Sequence, residues 1–271
     1  MKPSGDSSAL HHVLASARDA EHGNATTYAV GPDWMQGRTA FGGVSTAIAL
    51  DAALRAFPGD APLRTAQIGF IGPVAGEVHA TPRLLRQSKA SRFVAVDVES
   101  EPGYGVSGLF AFMSGRDSAI DHSSLPIPDV ADPDAIATIP DHPLRPAFTR
   151  KMDMRPVDGS GRFQLGLDTA EITMWVRWIE EPDCPQTIRL LALADAPPPA
   201  ATPLATSFAP ISSSTWTHHF LTDDPTTESG WWLLKSWSSH ARRGFSPQTM
   251  AIWNTRRELV CMGQQGVALY H

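Results

Sequence analysis

The chain repeats one order of elements twice. An apolar run at 43–57, with Ala47, Leu50, Leu54 and Phe57 on one helical stripe, is followed by strand-like runs at 63–71, 77–87, 92–101 and 105–114. A second helical pattern at 185–196 is followed by runs at 212–221, 231–240, 245–253 and 259–270. Strand-like runs precede the helices, at 26–35 in the first half and at 148–155 and 171–179 in the second. Gly72-Pro73, Ser88-Lys89 and Pro102-Gly103 separate the first four runs at hairpin spacing. Val94, Val96 and Val98 alternate with Ala95, Asp97 and Glu99, the period of two expected of a strand with one buried face. A helix followed by an antiparallel meander, recurring after roughly 125 to 130 residues, leaves few ways to fold. Each meander curls around its own helix, and joining the two sheets edge to edge pairs strands that would otherwise stay open. The expected class is α+β.

What lies outside the repeat sets the domain plan. Residues 1–25 are polar with a short apolar patch at Ala9, Val13 and Leu14, and read as a loosely held arm or short strand ahead of a first unit at 26–116. Residues 117–146 carry Ser123-Ser124-Leu125-Pro126-Ile127-Pro128 and Asp132-Pro133-Asp134 without periodicity, and read as a linker to a second unit at 147–271. A hydrophobic fraction of 42% against 18% charged residues is that of a globular chain, and 23 prolines with 21 glycines supply the turns between short strands. A net charge of −6 without a basic block argues against phosphate-backbone binding, so no nucleic-acid partner is expected. Cys184 and Cys261 form neither a metal-ligand spacing nor a disulfide framework, and read as buried thiols of a reducing compartment. The opening Met1-Lys2-Pro3-Ser4-Gly5-Asp6 lacks the apolar core of a signal peptide, and no apolar run is long enough for a bilayer. A cytoplasmic protein without a membrane partner is expected.

Polar residues placed among apolar ones mark the chemistry. Asp195 shares a helical face with Ile188, Leu191 and Ala192 in the last turn before Pro197-Pro198-Pro199, where burial and the helix dipole both raise a carboxyl pKa. The strand Ser212-Ser213-Ser214-Thr215-Trp216-Thr217-His218-His219 puts hydroxyls and one imidazole on each face. In the last strand Gln265 shares the more apolar face with Leu259, Cys261, Gly263 and Val267, whereas Gln264 pairs with Val260 and Met262. An amide, a hydroxyl and a carboxylate together can hold a water and take its proton. Gly42-Gly43 at the start of the first helix lets a ligand approach the free amides of the first turn. Phe41, Gly42, Gly43, Trp216 and His218 are the expected substrate contacts. Seven tryptophans crowd the second half, as core or as pocket lining. His218-His219 cannot both bind one metal ion, because neighbours on a flat strand face opposite ways. Gly43-Val44-Ser45-Thr46-Ala47 imitates a nucleophile elbow, but no buried strand runs into that turn. Arg242-Arg243 before Gly244 reads as a solvated hairpin end.

Three segments carry a resemblance. Arg38-Thr39-Ala40-Phe41-Gly42-Gly43 opening a helix, Leu193-Ala194-Asp195-Ala196, and Leu259-Val260-Cys261-Met262-Gly263-Gln264-Gln265, set in the duplicated order, resemble the double-hotdog acyl-CoA thioesterases of the thioesterase II type from about residue 25 onward. The resemblance implies a double hotdog, with an Asp on the second helix, a Ser or Thr on the next strand and a Gln on the final strand orienting the attacking water. Asp195 and Gln265 occupy those positions. Serines replace the family's usual Asp-His-Ser stretch, so Ser212, Ser213 and Ser214 compete for the hydroxyl; Ser213 is the choice. The implied reaction hydrolyses acyl-CoA to free acid and CoA without a metal or redox cofactor, and a homo-oligomer is compatible with the architecture. The alternative is a non-catalytic protein that binds acyl-CoA or another hydrophobic ligand. A hotdog dehydratase or hydratase ranks below both, since the chain has no Gly-Asp-x-Asn-Pro-x-His run.

Overall fold

The computed structural model describes residues 9–19, 24–142, 145–157, 164–207 and 209–270. The first half comprises α1 (Leu10–Ala15), β1 (Arg18–Asp19), β2 (Thr26–Val30), β3 (Met35–Gln36), β4 (Thr39–Ala40), α2 (Gly42–Ala56), β5 (Leu63–Phe70), β6 (Gly76–Gln87), β7 (Ser91–Ser100) and β8 (Gly103–Met113). The second comprises β9 (Met152–Pro156), β10 (Glu171–Trp178), α3 (Gln186–Ala194), β11 (Ile211–Phe220), β12 (Trp232–Trp237), β13 (Phe245–Trp253) and β14 (Leu259–Leu269). All the strands but β3 and β4 form one twelve-stranded sheet in the order β1-β2-β6-β7-β8-β5-β11-β14-β13-β12-β10-β9, each neighbouring pair antiparallel. Read outward from the β5–β11 seam, the two halves have the same strand order, so the sheet has a pseudo-twofold at its centre.

The apolar periodicity explains what packs inside. In β7 Val94, Val96 and Val98 are fully buried while Asp97 and Glu99 turn outward. α2 is buried on every side from Gly43 to Ala53, as expected of a helix apolar all round that lies between a sheet and another helix. It packs on β6, β7 and β8 and along α3. Ile48 and Leu50, both with no exposed surface, each contribute on the order of 2 kcal/mol by leaving water. Leu54 and Phe57, at the outer end of the predicted stripe, are only half-buried.

Four sequence expectations are corrected here. The arm ahead of the core is in part a helix: Leu10, Val13 and Leu14 of α1 are buried, and α1 packs against β2 and α2. The segment 1–6, where a leader was sought, lies outside the described residues. The proline-rich stretch read as a linker is a strap on the outer face of the second half. Leu125, Ile127, Val130 and Ile136 pack with Trp175, Trp231, Leu233 and Trp253, and the Ala131 carbonyl accepts the Trp175 indole N–H at 3.0 Å. The strap also lengthens the repeat beyond 125 to 130 residues, since α2 and α3 begin at residues 42 and 186. Of the two thiols, Cys261 is buried but Cys184 is only partly so.

Candidate active site

α2 and α3 lie side by side, and the start of α2 meets the end of α3 where the candidate residues gather. Asp195 is the first residue past α3, with φ −88° and ψ 2°. The backbone ladder of α2 begins with the Val44 and Ser45 amides on the Phe41 carbonyl, at 3.1 and 3.2 Å, so the Gly42 and Gly43 amides point out of the helix end. The Gly43 amide faces the Asp195 carboxylate and favours its charged form. Two glycines are needed for this approach. A Cβ on Gly42 would fall on Asp195 Oδ2 and the Phe70 ring, and one on Gly43 would fall on the Ala192 carbonyl and the Phe41 ring.

β14 and β11 supply the amide and the hydroxyl. The Gln265 Nε2 group donates to Asp195 Oδ1 at 3.2 Å and to Ser213 Oγ at 2.8 Å. Gln265 lies on the inner face at 5% exposure, and Gln264 is exposed, as the alternation predicts. Ser213 reaches the same face through an irregularity. A β-bulge between Ser213 and Thr215 takes Ser214 out of register, so that Ser213 joins Trp216 and His218 on the inner side. Strict alternation would have put Ser213 and Trp216 on opposite faces. Burial pushes the Asp195 carboxyl up to about 7 from an ordinary 3.8, with the bond from Gln265 and the Gly43 amide opposing the rise. Asp195 and Ser213 both keep partial solvent access.

The predicted substrate contacts are distributed unevenly around this centre. Gly42 and Gly43 abut Asp195. Trp216 is buried, pairs across the sheet with Gln265 and stacks on Phe70 at 6.4 Å between centroids. Phe41 is buried on the other side of the α2 start, stacked on Phe148 at 3.9 Å. His218, at 1% exposure, lies one step beyond Trp216 and places Nδ1 3.0 Å from Cys261 Sγ. Its burial lowers the imidazole pKa to about 3. Ser45, the elbow candidate, is buried within α2 and donates to the Phe41 carbonyl at 3.3 Å. Arg242 and Arg243 are exposed at a hairpin end. Two polar neighbours escaped the sequence reading: Gln248 Nε2 donates to Gln265 Oε1 at 2.5 Å, and the Ala200 amide donates to Gln248 Oε1 at 2.7 Å. The alternation of Ser246, Gln248, Met250 and Ile252 along β13 was the available signal, an amide on a face that also carries Met250 and Ile252.

The first half holds the pseudo-symmetric positions. β5 bulges between Leu63 and Thr65 as β11 does between Ser213 and Thr215, and Ala66 faces Phe110 as Trp216 faces Gln265. Leu63 and Phe110 therefore stand where the second half has Ser213 and Gln265, and both are buried. Asp51 stands nine residues after the first residue of α2, as Asp195 does after that of α3. It is held by the Tyr28 hydroxyl at 2.8 Å and Arg55 Nε at 2.5 Å. The full amide, hydroxyl and carboxylate set thus belongs to the second half. A cavity of about 750 Å³ lined by Arg145, Arg150, Arg177, Arg189 and Trp178 lies at the start of α3, the end opposite Asp195. A smaller one of about 390 Å³, lined by Thr215, Thr217, Gln264 and Phe245, lies on the outer side of β11, β13 and β14.

Two helices wrapped by one continuous antiparallel sheet, with the site at their junction, make this a double hotdog. The family model for the acyl-CoA thioesterase N-terminal domain matches residues 30–113, and that for the C-terminal domain matches 128–269. The chain therefore belongs to the acyl-CoA thioesterase family and is a thioester hydrolase acting on acyl-CoA. No curated protein matches it in sequence. Among solved structures, a hot dog fold protein from Alicyclobacillus acidocaldarius is 17% identical, with a TM-score of 0.83 over 97% of this chain and 99% of its own. The tesB protein of Mycobacterium avium subs paratuberculosis is 17% identical, with a TM-score of 0.77 over 96% and 99%. Acyl-CoA thioesterase II TesB2 of Mycobacterium marinum is 17% identical, with a TM-score of 0.75 over 96% and 97%. These likenesses bear on the fold. Among the described residues no helix is long and apolar enough to cross a membrane.

Proposed function

We propose that hydrolysis of the acyl-CoA thioester proceeds by direct attack of a water activated by Asp195, with Gln265 and Ser213 completing the site. The observation that carries this reading is the Gln265 amide bonded at once to Asp195 and Ser213. Because the Ser213 oxygen accepts from Gln265, its own O–H remains to orient the water or the substrate. A carboxyl titrating at about 7 is both basic enough to take a proton from water and acidic enough to return it. The water oxygen bonds to the carbonyl carbon while its proton passes to Asp195. The carbon–sulfur bond of the tetrahedral intermediate then breaks, and the proton on Asp195 goes to the departing CoA sulfur. The Gly42 amide, at the positive end of α2, is the donor placed to stabilise the developing oxyanion. The side chains around the catalytic set that would meet an acyl chain are Phe70 and Trp216, with Phe41 and His218 behind them.

The test is thiol release from short, medium, long and aromatic acyl-CoAs, with Asp195→Asn beside the wild type and circular dichroism to verify the fold. Turnover should fall by about two to four orders of magnitude in the variant. Near-wild-type turnover from a folded variant would exclude Asp195 as the base. No release by the wild type from any ester, with CoA esters still raising the melting temperature, would mean a binding protein instead.

A further inference from the structure

A glutamine amide is nearly symmetric in shape, so something must decide which end of Gln265 faces the carboxylate. Turned the other way, its oxygen would meet Asp195 acceptor to acceptor. Steric fit cannot prevent that, because the two orientations occupy the same space. The decision has to come from a group whose polarity is fixed. Asp195 cannot supply it throughout the reaction, because its carboxyl can donate once it has taken a proton, whereas the backbone amide of Ala200 can donate and never accept.

We propose that Gln248 is a positioning residue that carries the polarity of the Ala200 amide to the catalytic amide of Gln265. Ala200 N–H donates to Gln248 Oε1 at 2.7 Å, so Gln248 must present its NH2 to Gln265. Gln265 must then offer Oε1 to that NH2, at 2.5 Å, and turn its own NH2 toward Asp195 and Ser213. The backbone holds the relay in place. Gln248 and Gln265 are direct cross-strand partners on the inner face of β13 and β14, at 4% and 5% exposure. Ala200 is fully buried and follows Asp195 by way of Ala196 and Pro197-Pro198-Pro199, so one short rigid segment supplies both the base and the reference donor. The first half has no such requirement, since Phe110 stands at the position of Gln265. This inference rests on the reading of Asp195 and Gln265 as the catalytic pair.

Two variants separate polarity from packing. Gln248→Met keeps the volume and removes both bonds. Gln248→Glu keeps the shape and the Ala200 bond, but presents an acceptor to Gln265 and so favours the inverted orientation. Steady-state kinetics across pH 5.5–9 are expected to show kcat lowered about tenfold or more in both, KM within about twofold, and the acid limb of kcat displaced to higher pH. Loss of donation to the carboxylate is what moves that limb; a packing role would not. In the unmutated protein, 15N-glutamine NMR should show the Gln265 side-chain N–H protons close to the Ser213 β protons, a readout that does not depend on either variant folding. Asp195→Asn, run alongside, tells the two failures apart. An active Asp195→Asn would remove the catalytic pair itself. An inactive one, together with wild-type kcat and pH limb in both Gln248 variants, or with Gln265 N–H protons facing Gln248, would overturn the relay alone.

Discussion

Asp195→Asn should stabilise the protein, and do so more strongly as pH rises. The folded state holds the Asp195 proton up to about pH 7, whereas the unfolded chain releases it near 3.8. Between those values the unfolded state binds fewer protons, so wild-type stability falls as pH rises through the window and levels off above 7. The cost reaches about 4 kcal/mol at pH 8 and about 1.7 at pH 5; both are upper figures, since the side chain keeps partial contact with solvent. Asparagine has one acceptor oxygen and cannot satisfy Gln265 and Gly43 as the carboxylate does, which costs roughly 1 kcal/mol at every pH. The variant should therefore gain about 2.5 kcal/mol relative to wild type between pH 5 and pH 8. The assay is urea unfolding of both proteins at several pH values in that range, where the difference between the two curves cancels every other titrating group. A difference independent of pH would refute the argument, because it would mean that Asp195 is no harder to ionise folded than unfolded.

Other consequences follow from the same contacts. Gly42→Ala would push a methyl group onto the Asp195 carboxylate and should lower kcat by at least a hundredfold, while Gly43→Ala, which meets the immobile Ala192 carbonyl, should also lower the melting temperature; wild-type values in both would mean that the helix ends are not in contact. Asp51→Asn should leave kcat within twofold yet cost about 1–3 kcal/mol in chemical denaturation, because Arg55 and Tyr28 lose a buried anion. His218 is held neutral down to about pH 3, so its share of stability is present above 6.5 and lost as pH falls below that value. His218→Leu should thus remove about 1.6 kcal/mol of the decline from pH 6.5 to 5 in unfolding experiments, and an unchanged decline would exclude it as the source.

Most strands were legible because their burial is one-sided. β5, β7, β13 and β14 lie within a residue or so of their sequence patterns, and Gln265 was distinguished from Gln264 by alternation alone. Periodicity failed where the chain departs from the regular lattice. The bulge at Ser214 reverses the face of every residue before it, and a run of three serines carries no hydrophobic signal to reveal the shift. Ser213 rather than Ser214 therefore needed coordinates, or the resemblance that first suggested a hydroxyl there. α1 was missed because six residues are too few to establish a helical period, and its burial depends on the space left beside α2. The strap was read as a linker because its apolar residues, Leu125, Ile127, Val130 and Ile136, follow neither period, although each finds a tryptophan-rich surface. Gln248 was visible but unremarkable: one amide in a strand says nothing until its partner across the sheet is known.

The contrast between the halves explains how a site that costs stability can persist. An ionised carboxylate behind two helix ends, a buried amide pair and a bulged strand are each unfavourable features, and the second half carries them together. The first half has the same backbone, with the same bulge, but fills the positions with Leu63 and Phe110 and satisfies Asp51 with a phenol and a guanidinium. Since β5 pairs directly with β11, the well-packed sheet on one side of the seam holds the strand that bears Ser213. Introducing Ser at 63 and Gln at 110 should therefore not create a second centre. It should only lower stability, by about 3–5 kcal/mol for two buried apolar side chains replaced by polar ones without partners, because Asp51 is already committed to Tyr28 and Arg55. Turnover added by Leu63→Ser/Phe110→Gln, and retained in an Asp195→Asn background, would show instead that Asp51 can be released to act as a base.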